Sequence, residues 1–165
     1  MTELRPLTEA DFEVLSSLAR TIWRAHYSAI ISLAQIDHML AGRLTAENLS
    51  RYVNSSERWL ELLLLDSRAV GYCSYALQPD DETLKLEQIY LLPELHGRGL
   101  GGVMMRHAVS RARALGRTRL VLTVNKRNTG SIGVYRHHGF AITEDVVTEV
   151  GNGFVMDDYI MEKRL

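Results

Sequence analysis

The chain has 165 residues, 46% of them hydrophobic and 24% charged, with a single cysteine, Cys73. A domain of that size hides about 70% of the surface its unfolded chain would expose, so it needs no staple, and one cysteine excludes both a disulfide framework and a multi-cysteine zinc site within the chain. No apolar run reaches the ~18 residues of a membrane span, and Met1-Thr2-Glu3-Leu4-Arg5-Pro6 contains no signal-peptide core; the expectation is a cytoplasmic protein, residues 1–165 forming one domain.

Along the chain, Thr8 and Asp11 precede Phe12, Leu15, Leu18 and Ile22, the pattern of a capped amphipathic helix running to about Arg24. Ser32 and Thr45 open two shorter helical patterns, over 33–41 and 46–53. The period then becomes strand-like. Trp59–Leu65 breaks at Asp66-Ser67-Arg68 and resumes over Ala69–Leu77, which predicts a hairpin. Leu84–Leu92 is the third strand of this run, stopped by Pro93. Helical spacing over Leu100–Leu115 ends at Gly116, and Leu120–Val124 reads as a buried strand. Residues 129–138 are helical up to Gly139, and Ala141–Val150 and Phe154–Met161 flank the hairpin signal Asn152-Gly153. With an opening strand, the order is β-α-α-α-β-β-β-α-β-α-β-β, a mixed α/β domain with antiparallel hairpins and parallel crossovers. No repeat, linker or domain boundary interrupts it.

Net charge is −1, yet the signs are segregated. No Asp or Glu lies between Glu94 and Glu144, where nine basic residues stand, leaving a net of −10 elsewhere. Such a segment suits an anionic ligand on one side and a cationic one elsewhere; two solvated faces of opposite sign would give the same pattern.

The most informative segment is Glu94-Leu95-His96-Gly97-Arg98-Gly99-Leu100-Gly101-Gly102, between a strand and a helix. Glycines let a backbone approach a ligand, and free N–H groups at a helix start point toward an anion such as a pyrophosphate. A turn that merely permits close strand–helix packing is the ordinary alternative. A P-loop is excluded, because no Gly-Lys-Ser/Thr follows. Gly97, Gly99 and Gly102 match Gly-x-Gly-x-x-Gly, but a dinucleotide fold wants an acid at the end of the next strand. Here that strand ends Val124-Asn125-Lys126-Arg127.

Ile89-Tyr90-Leu91-Leu92-Pro93, then His96-x-x-Gly99-x-Gly101, then Asn128-x-x-Ser131-Ile132-x-x-Tyr135-x-x-x-Gly139-Phe140 resembles the GNAT family of acyl-CoA-dependent N-acyltransferases. The resemblance runs at least over 68–163. Asp158-Tyr159-Ile160-Met161-Glu162-Lys163 and the two short helices resemble most closely the PaiA-like spermidine/spermine N-acetyltransferases. The family usually has Gln or Arg where this chain has His96. The fold so implied is a mixed, mostly antiparallel sheet flanked by helices, with a splayed central parallel strand pair.

The resemblance implies acetyl-CoA as co-substrate and a small-molecule amine acceptor, with a homodimer common in the family. The backbones of Ile89 and Leu91 would hold the pantetheine and acyl carbonyl. The loop His96, Gly97, Arg98, Gly99, Leu100, Gly101 and Gly102 would take the pyrophosphate through its amides, and Asn128 would bond the pantetheine amides. Arg98, Arg127, Arg136 or His138 would meet the 3′-phosphate. Tyr135 would protonate the departing thiolate, since a phenol near 10 can serve a thiol near 8.5; an ordinary buried tyrosine is the competing reading. An alkylammonium acceptor is only ~0.04% neutral at pH 7, a handicap of about 4.6 kcal/mol, and Glu87, acting through water, is the candidate base. It could equally be an ion-paired strand residue.

Trp23, His26 and Tyr27 would line the acceptor cleft, although the end of an amphipathic helix explains them too, and Glu82, Glu87, Asp157 and Asp158 would anchor a polyamine; an amino acid, an antibiotic amine or a protein N-terminus stays open as the acceptor. Cys73 reads as a small core residue. The six histidines lack ligand spacing, so no metal is expected. Two other classes stand beside the transferase: a non-catalytic acyl-CoA sensor, and a basic nucleic-acid module. The second is disfavoured because the cations are spread over helix, strand and loop with few aromatics to stack on bases.

Overall fold

The hairpin predicted over Trp59–Leu77 is present. In the computed structural model, which describes residues 1–165, β2 (Arg58–Leu65) and β3 (Arg68–Leu77) are antiparallel. Asp66 and Ser67 join them with φ of 48° and 68°, both left-handed, as a two-residue primed turn requires. The opening strand β1 (Thr2–Pro6) pairs antiparallel with β2. A short turn at Glu9–Asp11 then leads into α1 (Phe12–Tyr27), almost a turn longer than its pattern suggested. Its apolar face, Leu15, Leu18, Ala19, Ile22, Trp23 and Tyr27, is buried at helical spacing.

The expected caps start the next two helices. Ser32 Oγ accepts from the Gln35 amide at 3.1 Å before α2 (Leu33–Arg43), and Thr45 Oγ1 from the Asn48 amide at 3.2 Å before α3 (Ala46–Ser50). The rest follow in the order read from sequence: β4 (Thr83–Leu91), α4 (Leu100–Ala114), β5 (Arg119–Asn125), α5 (Thr129–His137), β6 (Ala141–Gly151) and β7 (Phe154–Arg164). Asn152 and Gly153 turn the last hairpin with φ of 55° and 77°.

The seven strands form one sheet, ordered β1-β2-β3-β4-β5-β7-β6. Only β4 and β5 are parallel, and they pair over Thr83–Lys85 and Arg119–Val121 alone. Past that point β5 keeps its antiparallel partner β7 as far as Asn125, while β4 follows β3. The two halves of the sheet therefore diverge, and the C-terminal half of β4 has no strand beside it on that edge. Against β3, Ser74 faces Gln88 but Tyr75 faces Leu86, so Glu87 is the extra residue of a β-bulge.

Alternate residues of β3 face opposite sides. Trp23 of α1 donates to the Tyr72 hydroxyl at 3.1 Å, whereas Tyr75 lies against His107 of α4, so the two long helices cover opposite faces. Between them runs a core of 33 buried residues that takes in Met104, Met105, Ala108 and Ala112 of α4. Cys73 belongs to this core, and burial pushes its thiol well above the usual range. No helix is long and apolar enough to cross a membrane.

Candidate active site

The opening between β4 and β5 is a cavity of about 590 Å³, lined also by the glycine loop and by residues of α1 and α5. Of the twelve residues given to catalysis, the strand edge, the glycine loop and the pantetheine amides, ten line it: Glu87, Ile89, Leu91, His96, Gly97, Gly99, Gly101, Gly102, Asn128 and Tyr135. Two others do not. The Leu100 side chain is turned into the core, and Arg98 is exposed outside the wall; the contribution of Leu100 is confined to its backbone amide.

The loop has the geometry of an anion cradle. Gly97 and Gly99 hold φ of 77° and 78°, left-handed values that swing the chain into α4 with Gly99 as its cap. The first ladder bond of that region is Val103 N to Gly99 O at 3.1 Å. The amides of Leu100, Gly101 and Gly102 therefore have no intrahelical acceptor. A Cβ on Gly101 would meet nothing within 4 Å, while one on Gly102 would lie 3.0 Å from the Arg106 guanidinium. Arg106 and the cavity-lining His138 thus flank the cradle, and burial, reinforced by His137 and Arg106, lowers the His138 pKa.

His96, the departure from the family pattern, bonds Leu91 O through Nε2 at 3.1 Å. A carbonyl can only accept, so this imidazole carries its proton on Nε2. One lone pair of the Leu91 carbonyl is thereby used within the chain. Asn128 is likewise engaged at both ends. Its Oδ1 caps α5 by accepting from Ser131 N at 3.4 Å, and its Nδ2 donates to His26 Nε2 at 2.9 Å. His26 must be neutral to accept, in keeping with the downward shift that burial imposes on its pKa.

The helix that Asn128 starts carries Tyr135 into the cavity. Its ring meets Phe140 edge-on, with centroids 5.9 Å apart, and no protein hydrogen bond holds its hydroxyl. Burial pushes the phenol well above its usual value, so it stays protonated and can donate.

Across the cavity, the bulge in β4 presents Glu87, whose Oε2 accepts from Tyr52 Oη at 2.9 Å. Burial and the neighbouring carboxylate raise the Tyr52 phenol to about 12. Of the three residues expected near the acceptor cleft, His26 and Tyr27 line the cavity, whereas Trp23 is buried beneath it. Tyr27 and Tyr90 share a hydroxyl–hydroxyl bond of 2.8 Å. Sequence reasoning passed over Tyr52 as the partner of Glu87 and Arg106 beside the loop, and it named His26 for the acceptor cleft but not as the partner of Asn128.

The basic segment does not form one face. Lys126 pairs with Asp157 at 2.9 Å and Asp145 at 3.3 Å, Arg119 with Glu162 at 3.4 Å, and Arg117 with Asp81 at 3.6 Å. Arg127, one of four residues considered for a terminal phosphate, donates instead to the carbonyls of Ala29 and Ile30. Arg98, Arg106 and Arg136 have no acidic partner.

Residues 18–140 match the Acetyltransferase (GNAT) family. An N-acetyltransferase of Mycobacterium tuberculosis is 28% identical over 159 residues, covering 96% of this chain and 99% of its own. The spermidine N(1)-acetyltransferase of Thermoplasma acidophilum is 26% identical over 166 residues, covering 98% and 96%. Among solved structures, the PaiA N-acetyltransferase of the same organism, in complex with coenzyme A, superposes with a TM-score of 0.85 at 23% identity, covering 100% of this chain and 99% of that one. The splayed strands, the glycine cradle and the matched residues agree: the chain belongs to the GNAT family of N-acetyltransferases, whose acetyl donor is acetyl-CoA.

Proposed function

We propose that this protein transfers the acetyl group of acetyl-CoA to a primary amine of a small molecule, by direct attack while both substrates are bound. The observation that carries the reading is the convergence in one cavity of free helix-start amides, an unpaired strand edge, an unbonded phenol and a carboxylate.

The Leu100, Gly101 and Gly102 amides supply a pyrophosphate with donors aligned along the helix dipole. The edge of β4 from Ile89 to Leu91 lies where a pantetheine chain can bond like an added strand. Asn128 keeps one amide hydrogen for it beyond those bonds, and Arg106, with His138, is placed for a terminal phosphate. Glu87 removes the proton of the acceptor ammonium through water, and Tyr135 gives its own to the departing sulfur. No nucleophilic side chain intervenes, because Cys73 is buried with its thiol protonated.

The acetylation of spermidine by the Thermoplasma relative supports a polyamine acceptor. The proposed acidic anchors do not gather around one, however. Asp157 is paired with Lys126, and only Glu87 of the four lines the cavity.

The test is acetyl-CoA-dependent release of CoA with spermidine, spermine and a panel of other primary amines, alongside calorimetric binding of acetyl-CoA. Saturable release with any amine supports the reading. Failure of acetyl-CoA to bind overturns it, and binding with no turnover across the panel supports a sensor instead.

A further inference from the structure

A second cavity, of about 700 Å³, opens behind Glu87. It shares Gln88 with the first, and Tyr52, which lines it, bonds Glu87 across the partition. Its walls come from α2, α3 and strands β2 to β4, with Val150 at the end of β6. Gln35 Nε2 bonds Val155 O and His38 Nε2 bonds Val150 O, both at 2.8 Å, so α2 is fastened to the last hairpin and the wall is held in place.

The charge of this lining is one-sided. Arg43, Arg51 and Arg58 face the cavity, and none of its sixteen residues is Asp or Glu. None of the three guanidinium groups has a salt bridge or a hydrogen bond within the protein. Arg43 lies over the Trp23 ring at 5.3 Å and Arg58 over the Tyr52 ring at 5.7 Å. Stacking uses the face of a guanidinium and leaves its N–H edge free, the arrangement that receives a carboxylate or phosphate through paired hydrogen bonds. Arg58 rests on the same tyrosine whose hydroxyl bonds Glu87. An anion held at Arg58 would therefore be one tyrosine side chain away from the group that receives the acceptor's proton.

Resting on the transferase reading, we infer that this second cavity is the acceptor subsite and that it selects amines carrying a carboxylate or phosphate, so the acceptor is an anionic amine rather than a polyamine. Three unpaired cations repel spermidine from the approach to Glu87. The nearest carboxylates lie outside the lining: Glu87, which accepts from Tyr52, and Asp158, whose charged form Arg43 favours.

Binding of L-glutamate, phosphoethanolamine and spermidine to the CoA-loaded protein, measured by calorimetry, tests this. The wild type should bind at least one of the two anionic amines ten-fold more tightly than spermidine, the choice between them showing whether carboxylate or phosphate is preferred. Arg43→Gln/Arg58→Gln should lose ten-fold or more of that affinity while the Kd for CoA stays within two-fold. Arg51→Gln, at an exposed helix end, should weaken the anion in the same direction even if the double variant fails to fold. Tighter binding of spermidine, no saturable binding of either anion, or anion binding indifferent to the arginine changes would overturn the inference. Each of those results, with CoA still bound, leaves the transferase reading standing. Loss of CoA binding by the wild type would overturn that reading instead, and the same titrations without CoA would still judge the cavity.

Discussion

Replacing Tyr135 by phenylalanine removes a single oxygen from the cavity, and the surroundings of that oxygen fix what should follow. It has no protein partner, so its loss strands no buried donor or acceptor, and the ring keeps its contact with Phe140. Stability should move by no more than about 0.5 kcal/mol. The helix-start amides are untouched, so the KM for acetyl-CoA should stay within two-fold. The loss should fall on kcat alone, by a factor of about 10² to 10³, the range for a positioned general acid and equal to about 2.7–4 kcal/mol in the barrier. Because burial raises the phenol above its usual value, the acid stays protonated through pH 6 to 10, and the deficit of Tyr135→Phe should be constant across that range. Initial rates of CoA release at saturating acetyl-CoA, collected as a pH profile with a thermal melt of each protein, decide the matter. A kcat within three-fold of wild type in a folded variant would refute the acid role, as would a deficit confined to KM.

The remaining expectations concern the base, the strand edge and the fold. Glu87→Gln should cut kcat/KM for an amine about 10- to 100-fold at pH 7, and the gap should narrow toward pH 10, where the amine sheds its proton unaided; Tyr52→Phe, which removes one hydrogen bond from Glu87, should give a smaller fall in the same pH profile. At Gly71 an added Cβ would sit 2.6 Å from the Tyr90 carbonyl oxygen, so Gly71→Ala should displace β4, destabilise the protein by about 1–3 kcal/mol in urea and weaken acetyl-CoA binding. Asp11 accepts from Arg5 at 2.7 and 2.8 Å and from the Thr8 amide at 2.9 Å, which holds its carboxyl well below the usual range. A depressed folded pKa contributes stability above the unfolded value near 3.9 and loses it as the carboxyl protonates. Asp11→Asn should therefore cost about 1–2 kcal/mol in a urea titration at pH 7, and the difference from wild type should shrink as pH falls below 4.

The parts of this fold that were legible in the sequence are those written locally. Asp66-Ser67 and Asn152-Gly153 announce their turns because left-handed backbone tolerates few residues, and Ser32 and Thr45 announce their helices by the oxygen each offers to the first turn. The glycine loop was readable for the same reason: the function we propose for it is carried by backbone amides, and glycine takes the left-handed path at Gly97 and Gly99 most readily. Tyr135 and Asn128 could be named because they sit at fixed spacing from that loop and from Gly139. Glu87 was named from its place before the acyl-binding stretch, but nothing in the sequence marks the bulge, since a bulge exists only in the register between two strands.

The charge pattern was the least faithful guide, and the reason is general. Segregation along a chain says nothing of what each cation meets after folding. Four of the nine residues in the basic segment, Arg117, Arg119, Lys126 and Arg127, are taken up by acids or carbonyls brought from other elements. The three arginines that face an acid-free cavity lie instead in the stretch that counted as net negative. Arg43 ends one helix, Arg51 follows another and Arg58 begins a strand. No spacing rule links them, and no motif surrounds them. The donor contacts we propose rely mainly on the shared backbone of the fold, and most of their residues stand in two readable blocks, Ile89–Gly102 and Asn128–Tyr135. The acceptor subsite we infer is assembled from helix ends and a strand start, each free to vary without disturbing that backbone. Its chemistry therefore has to be read from the cavity wall rather than from the string.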